Sequence, residues 1–309
     1  MSRADEVPSR QGEIPPVAAD FFDDRAQARS GSPVGARKHK GVTQMPETIE
    51  VERRGATAVV TLNRPAQLNA LDPVMLEELI EAVAAIAVSD AKAVVLTGSG
   101  RLFSAGVDVD TPFFMEHVDD SSVYSGKRLL DYQHRVVQAI FDLPIPTLAA
   151  LNGTALGGGG FGLAMACDLR FAVRDAQMWM VPGSLDLVQD FGLSWLVQRV
   201  VGPSRAFHMA LTGYRVGAQE ALDWGLVNEV VEDQPALARR IDEFVVGLEE
   251  QGGDAIRMLK TVLRLGETSN LKEQLQVEAI SNGLAFQSEE FATKKAAYLA
   301  SLREKRTGR

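Results

Sequence analysis

One cysteine, Cys167, is the only thiol in the 309-residue chain. No intrachain disulfide can form, and a reducing compartment is expected. No apolar run approaches the roughly 20 residues that a membrane-spanning helix needs. The opening MSRADEVPSR has early acidic residues and no apolar stretch, so neither a secretory signal nor a transit peptide is expected. Positive charge is also in deficit, with 32 Lys and Arg against 41 Asp and Glu, a net charge of -9. That balance argues against nucleic acid or an anionic membrane as the main partner, although a local basic patch can still serve an anionic small molecule. Together these absences lead us to expect a cytoplasmic globular protein.

What is present is organised unevenly. Residues 1–46 mix Pro, Gly, Ser, Arg and Asp without periodicity and read as a disordered tail. β-rich runs near 48–54 and 57–63 flank Arg54-Gly55 and predict a hairpin. Asp72 followed by Pro73 is a helix N-cap with proline in the first helical position, and Leu76, Leu79, Ile80, Val83 and Ile86 follow at helical spacing. AVVLTG at 93–98 is a short β-branched run, the pattern of a buried parallel strand. A helix near 122–142 carries Leu129, Leu130, Val136, Val137, Ile140 and Phe141 on one face. Further strands are predicted at PTLAALNG (146–153), LRFAV (169–173), QMWMV (177–181) and LVNEVV, with helices dominating after Asp190. Strand, strand, helix recurs without a literal repeat or a linker, which implies one α/β domain with a helical C-terminal region.

The stretch ALGGGGFGLAMACDLR (155–170) places four consecutive glycines before an apolar run. Glycines there let backbone approach a ligand closely. With LNRPAQLNAL (62–71), AVVLTGSGRLFSAGVDVD (93–110), PIPTLAALNGTALGGGG (144–160), LAMACDLRFA (163–172), FGLSWLVQRVVG (191–202) and ALDWGLVNEVV (221–231), the chain resembles the crotonase, or enoyl-CoA hydratase/isomerase, superfamily. The resemblance implies a spiral of ββα units over residues 47–250 and a helical trimerisation region over 251–309. It also implies a homotrimer or dimer of trimers and an acyl-CoA thioester as ligand. Coenzyme A would enter as part of the substrate, with no metal, no other cofactor, no nucleic acid and no membrane partner.

Reactions of that family pass through an enolate or related oxyanion on the thioester carbonyl, held by two backbone N–H groups. The resemblance places the first donor at Val107 and the second at Gly158 or Gly159. The choice stays open because this segment is one residue longer than the family's pattern. The second donor would lie at a helix N-terminus beginning near 159, where free N–H groups and the helix dipole favour negative charge. Ala70, Leu71, Val107, Asp108, Val109 and Asp110 fall where the family wraps the adenine and pantetheine of coenzyme A, and Asp108 is expected to organise its loop.

The chain departs from the family's hydratases at both glutamate positions. The first falls on Gly162, and the second on Pro182 or Gly183. Adding water across a double bond needs a base for the water and an acid for the carbon, so ordinary hydration is not expected. Asp190 matches a position where several subfamilies place a working carboxylate, although its place just before FGLSWLVQRV equally suits a helix N-cap. His134 matches the general base of the chlorobenzoyl-CoA dehalogenases by offset, or is a half-buried structural histidine. Asp186 is a displaced acid or a solvated loop residue, and Met165, Met178, Trp179 and Met180 line an acyl pocket or pack the core.

Three functions follow from these residues. The favoured one is an acyl-CoA enzyme of the isomerase kind, moving a proton through a thioester enolate with Asp190 as its carrier. The second is nucleophilic or hydrolytic chemistry on a CoA thioester with Asp190 as nucleophile and His134 as base. The third is an acyl-CoA-binding protein without catalysis.

Overall fold

Strands β1 (Ile49–Arg54) and β2 (Thr57–Leu62) form the expected hairpin, antiparallel from Ile49↔Leu62 to Arg54↔Thr57. The computed structural model describes residues 47–181, 187–249 and 253–307. The Asp72 carboxylate accepts the Met75 N–H at 2.8 Å, as its cap position predicts, and opens α1 (Pro73–Ala87). Met75, Leu76, Leu79, Val83 and Ile86 form the buried stripe of α1, with Ile80 at its margin.

The main sheet has the order β1-β2-β3-β4-β6-β9, completed by β3 (Ala93–Gly98), β4 (Thr147–Leu151), β6 (Leu169–Val173) and β9 (Glu229–Val231). Only β1 runs antiparallel to its neighbour. Patterning explains the order. Every residue of TLAAL in β4 is buried, as a central strand covered on both faces requires, whereas IEVERR in β1 exposes four of its six residues at the edge.

A second layer comprises β5 (Ala155–Leu156), β7 (Gln177–Trp179) and β8 (Arg215–Gly217). Single-residue bridges Leu71↔Val107 and Ser104↔Ala155 extend it toward two loops of the first half of the chain. The strand predicted over 177–181 stops at Trp179, where pairing with both neighbours ends. The glycine run opens its helix with a π turn over Gly158–Gly162, continued by α4 (Leu163–Ala166).

The remaining helices are α2 (Pro112–Asp119), α3 (Val123–Phe141), α5 (Leu193–Val201), α6 (Pro203–Thr212), α7 (Ala218–Trp224), α8 (Gln234–Glu249), α9 (Gly253–Gly266), α10 (Leu271–Ala285) and α11 (Glu289–Thr307). This is the α/β architecture with a helical C-terminal region that the sequence predicts. No helix among the described residues is long and apolar enough to cross a membrane.

Helix α9 is tied to the sheet by charge. Asp168, beside β6, accepts the Lys260 ammonium at 2.7 Å and the Arg264 guanidinium at 2.8 Å. It also accepts the Thr147 N–H and hydroxyl at 2.8 and 2.9 Å. Lys260 donates again to the Ile145 carbonyl at 2.9 Å, and Arg264 lies 3.7 Å over the Phe141 ring. Burial pulls the Lys260 ammonium below its ordinary range, and Asp168 opposes that pull. Removing one partner of a buried ion pair leaves charge uncompensated, at a cost of about 3–5 kcal/mol. Asp168→Asn is therefore expected to lower the melting temperature by on the order of 10 °C. It should also make α9 the first site of limited proteolysis, which peptide mapping would locate.

Candidate active site

The site is built where the second layer meets the loop that follows β3. Leu71 donates its N–H to the Gly106 carbonyl at 2.8 Å, and Asp108 donates to the Leu71 carbonyl at 2.9 Å. Leu156 donates to the Ser104 carbonyl at 3.0 Å, so segments 71, 104–108 and 155–156 run side by side. The Ser104 hydroxyl fixes the turn by donating to the Asn69 carbonyl at 2.7 Å and accepting the Gly106 N–H at 3.2 Å. Gly106 has φ +92°, a conformation open to glycine and strained for other residues. The Val107 N–H that follows has no acceptor among the described residues.

The glycine run closes on that N–H. A Cβ on Gly159 would lie 3.0 Å from the Val107 nitrogen and 2.8 Å from the Gly106 carbonyl carbon. The first N–H groups of the turn at Gly158 and Gly159 have no intrahelical acceptor. Val107, Gly158 and Gly159 are thus brought together, with backbone N–H groups on both sides of the contact.

Arg64 is a residue that the sequence motif contains but whose role it does not disclose. Its guanidinium donates to the Ala70 carbonyl at 2.6 Å, pairs with Asp108 at 3.1 Å and reaches Asp72 at 3.3 Å. One side chain therefore staples the end of the 64–72 loop to the loop bearing Val107. Asp108 organises its loop through this pair. Ala70 and Leu71 are buried beside it, while Val109 and Asp110 turn outward. The signal was hard to find, because 44 residues separate Arg64 from Asp108.

Asp190 faces the same glycines. A Cβ on Gly158 would collide with its carboxylate, so only glycine lets the two meet. Asp190 does not cap α5. Gly192, at φ +75°, stands at the N-cap with no side-chain cap bond, and Asp190 contributes only its backbone carbonyl, which accepts the Leu193 N–H at 3.0 Å. Burial pushes the Asp190 carboxyl above the ordinary carboxylate range, opposed by nearby His134 and a backbone hydrogen bond.

His134, on α3, reaches this corner through the neighbouring residue. Its Nε2 accepts the Phe191 N–H at 3.1 Å, and the two rings meet edge to face at 5.7 Å. Phe191 is fully buried with φ +48°. It fills the space beside Gly162, where a Cβ would lie 2.6 Å from the Phe191 Cβ and 2.9 Å from its carbonyl oxygen. Position 162 thus lacks an acid and has no room for one. Pro182, Gly183 and Asp186 lie outside the described residues. Met165, Met178, Trp179 and Met180 are all buried, and the Trp179 indole N–H has no hydrogen-bond partner among the described residues. A separate cavity of about 740 Å³, lined by Trp195, Arg199, Lys260 and Arg264 among others, contains none of Val107, Gly158, Gly159 or Asp190.

With this geometry in hand, comparison with known proteins is direct. The family model of enoyl-CoA hydratase/isomerase matches residues 52–307. The chain is 32% identical to the 1,2-epoxyphenylacetyl-CoA isomerase of Escherichia coli (strain K12), over 81% of this chain and 94% of that protein. It is 36% identical to 4-chlorobenzoyl coenzyme A dehalogenase-2 of an Arthrobacter species, over 60% of this chain and 66% of that protein. Its structure is similar to that of an enoyl-CoA hydratase subunit from Geobacillus kaustophilus HTA426, with a TM-score of 0.76 and 30% identity, covering 84% of this chain and 97% of that one. The chain belongs to the enoyl-CoA hydratase/isomerase family, and its fold is the crotonase fold. It is an enzyme of that family, and acyl-CoA processing is the family's chemistry.

The contact between Gly159 and the Val107 peptide gives a specific expectation. Gly159→Ala must displace that peptide, and if its N–H is an oxyanion donor, as the resemblance implies, the loss costs about 3–4 kcal/mol of barrier. Turnover of a CoA thioester should fall about 100- to 1,000-fold, with the far-ultraviolet spectrum unchanged. Steady-state kinetics beside circular dichroism would check both.

Proposed function

We propose that this protein is an acyl-CoA isomerase, which moves a proton on the acyl chain through a thioester enolate. The thioester oxygen accepts from the Val107 N–H and from Gly158 or Gly159. Asp190 takes a proton from the carbon α to the carbonyl, or γ to it through an intervening double bond. The C–H electron pair passes into the carbon framework, and negative charge collects on the oxygen between the two donors. Return of the proton to a different carbon completes the shift with no change in oxidation state. Coenzyme A enters as part of the substrate, and the scheme uses no metal and no separate cofactor.

The observation that carries this reading is the Asp190 carboxylate lying against the oxyanion glycine Gly158. Its burial adds support, since a carboxyl raised toward neutrality both accepts and returns a proton well. Hydration is disfavoured because position 162 offers no second acid and Phe191 fills the space. A second reading has one observation in its favour: Asp190 and His134 lie at the same corner, and a relative is a dehalogenase of 4-chlorobenzoyl coenzyme A. There Asp190 would attack as a nucleophile. Acyl-CoA binding without turnover is the remaining outcome.

We also place the protein in the cytoplasm as a homotrimer or dimer of trimers. The exposed apolar side chains of α10 and α11, including Leu271, Leu275, Ile280, Leu284 and Tyr298, support such self-association.

The deciding experiment is turnover on trans-2-enoyl-, 3-enoyl-, dienoyl- and aroyl-CoA by the wild type and Asp190→Asn. Isomerisation should fall about 100- to 10,000-fold in the variant. Isomerisation that survives the substitution would sink the proposal, and a halide-releasing aroyl-CoA reaction would favour the second reading.

The raised Asp190 carboxyl also sets a pH dependence of stability. The native state holds this proton more tightly than the unfolded chain, whose Asp titrates near 3.8. Stability from this group is thus fully present below pH 3.8 and is lost as the pH rises through the higher native value. Asp190→Asn should therefore melt higher than the wild type at neutral pH, an advantage that vanishes toward pH 3.8. Thermal melts of both proteins across that range would show a constant difference if the carboxyl were not perturbed.

A further inference from the structure

Asp190 lies on a segment outside regular structure, yet its carboxylate meets one particular glycine. The peptide joining Asp190 to Phe191 explains how. Its N–H donates to His134 Nε2 at 3.1 Å, and its carbonyl accepts the Leu193 N–H at 3.0 Å. A peptide unit is planar, so fixing both ends fixes its plane and the position of the Asp190 Cα from which the side chain extends toward Gly158. The same bond faces a strained residue. Phe191 sits at φ +48°, a region that a bulky L-residue rarely adopts unless its surroundings hold it.

We propose that His134 is a positioning residue for Asp190: by accepting the Phe191 N–H it holds the 190–191 peptide in place and keeps the Asp190 carboxylate against Gly158. This rests on the reading of Asp190 as the proton carrier. It differs from the role of general base that the histidine's place in the sequence suggested. A base needs a free lone pair facing the proton it removes. Here the Nε2 lone pair is occupied by the Phe191 N–H, and the neutral ring's own proton must lie on Nδ1. Neither nitrogen is free to act as a base while the bond stands.

Gln and Leu at position 134 separate the two roles. The Gln carboxamide oxygen reaches about as far as Nε2 and can accept the Phe191 N–H, but it cannot act as a base. Leu fills similar space and can do neither. With trans-3-hexenoyl-CoA as substrate, His134→Leu should lose about 100-fold in kcat with KM little changed, because a displaced catalytic group costs that much. His134→Gln should recover at least tenfold of this loss. If Gln is as inactive as Leu while acetyl-CoA binding is retained, His134 is a base and the proposal fails, although the reading of Asp190 survives. Activity retained in Asp190→Asn would instead overturn the reading of Asp190 itself. Should His134→Leu not fold, the Gln variant decides alone, since loss of activity there overturns the proposal and retention supports it. Crystal structures give a readout independent of turnover. The carboxylate should stay against Gly158 in the Gln variant and swing away in the Leu variant, and an unmoved carboxylate in the Leu variant would refute the proposal.

Discussion

Segments 104–108 and 155–162 come from different parts of the chain, yet they approach so closely that no Cβ fits between Gly159 and the Val107 peptide. The oxyanion site proposed for this chain depends on that approach. Backbone donors cannot converge on one oxygen unless the chains bearing them nearly touch, and any side chain at the contact would hold them apart. The bridges Leu71↔Val107 and Ser104↔Ala155 set the distance from one side, and the π turn of the glycine run sets it from the other. Arg64 supports the arrangement by joining the carbonyl of Ala70 and the carboxylates of Asp72 and Asp108 in a single side chain.

Two half-buried carboxylates are used in opposite ways. Asp168 is surrounded by Lys260, Arg264 and the Thr147 donors, so its charge is compensated and it serves as a fastener between α9 and the sheet. Among the described residues no Lys or Arg pairs with Asp190. Burial therefore works against its charge and leaves it ready to hold a proton. The contrast shows how neighbours alone decide whether burial of one residue type is compensated, as at Asp168, or raises its carboxyl, as at Asp190.

Features set by local chemistry were legible in the sequence. The β1–β2 hairpin, the Asp72 cap and the stripe of α1 depend on residues a few positions apart, and each stands where the pattern places it. The glycine run and SAGVD were legible because close backbone contact demands a particular residue type at a particular step. Asp190 was harder. As a residue just before a helix it reads as a cap, and only the left-handed turn at Phe191 and Gly192 moves the cap onward. That turn is bonded to His134, 57 residues earlier. Arg64, Lys260 and Arg264 went unread for the same reason, since their partners are distant in sequence and nothing nearby marks them.

The contact between Gly162 and Phe191 has an evolutionary consequence. An acidic side chain on the first turn of that helix and a phenylalanine in this conformation compete for the same volume. The two positions form an either-or pair, so introducing a glutamate at 162 alone would jam against Phe191. Placing an acid at 162 requires altering Phe191 as well and then releasing or rebuilding the peptide that His134 holds. Divergence within this fold is thus gated by packing as well as by the choice of catalytic group, and a change of reaction at this site would come in coupled steps.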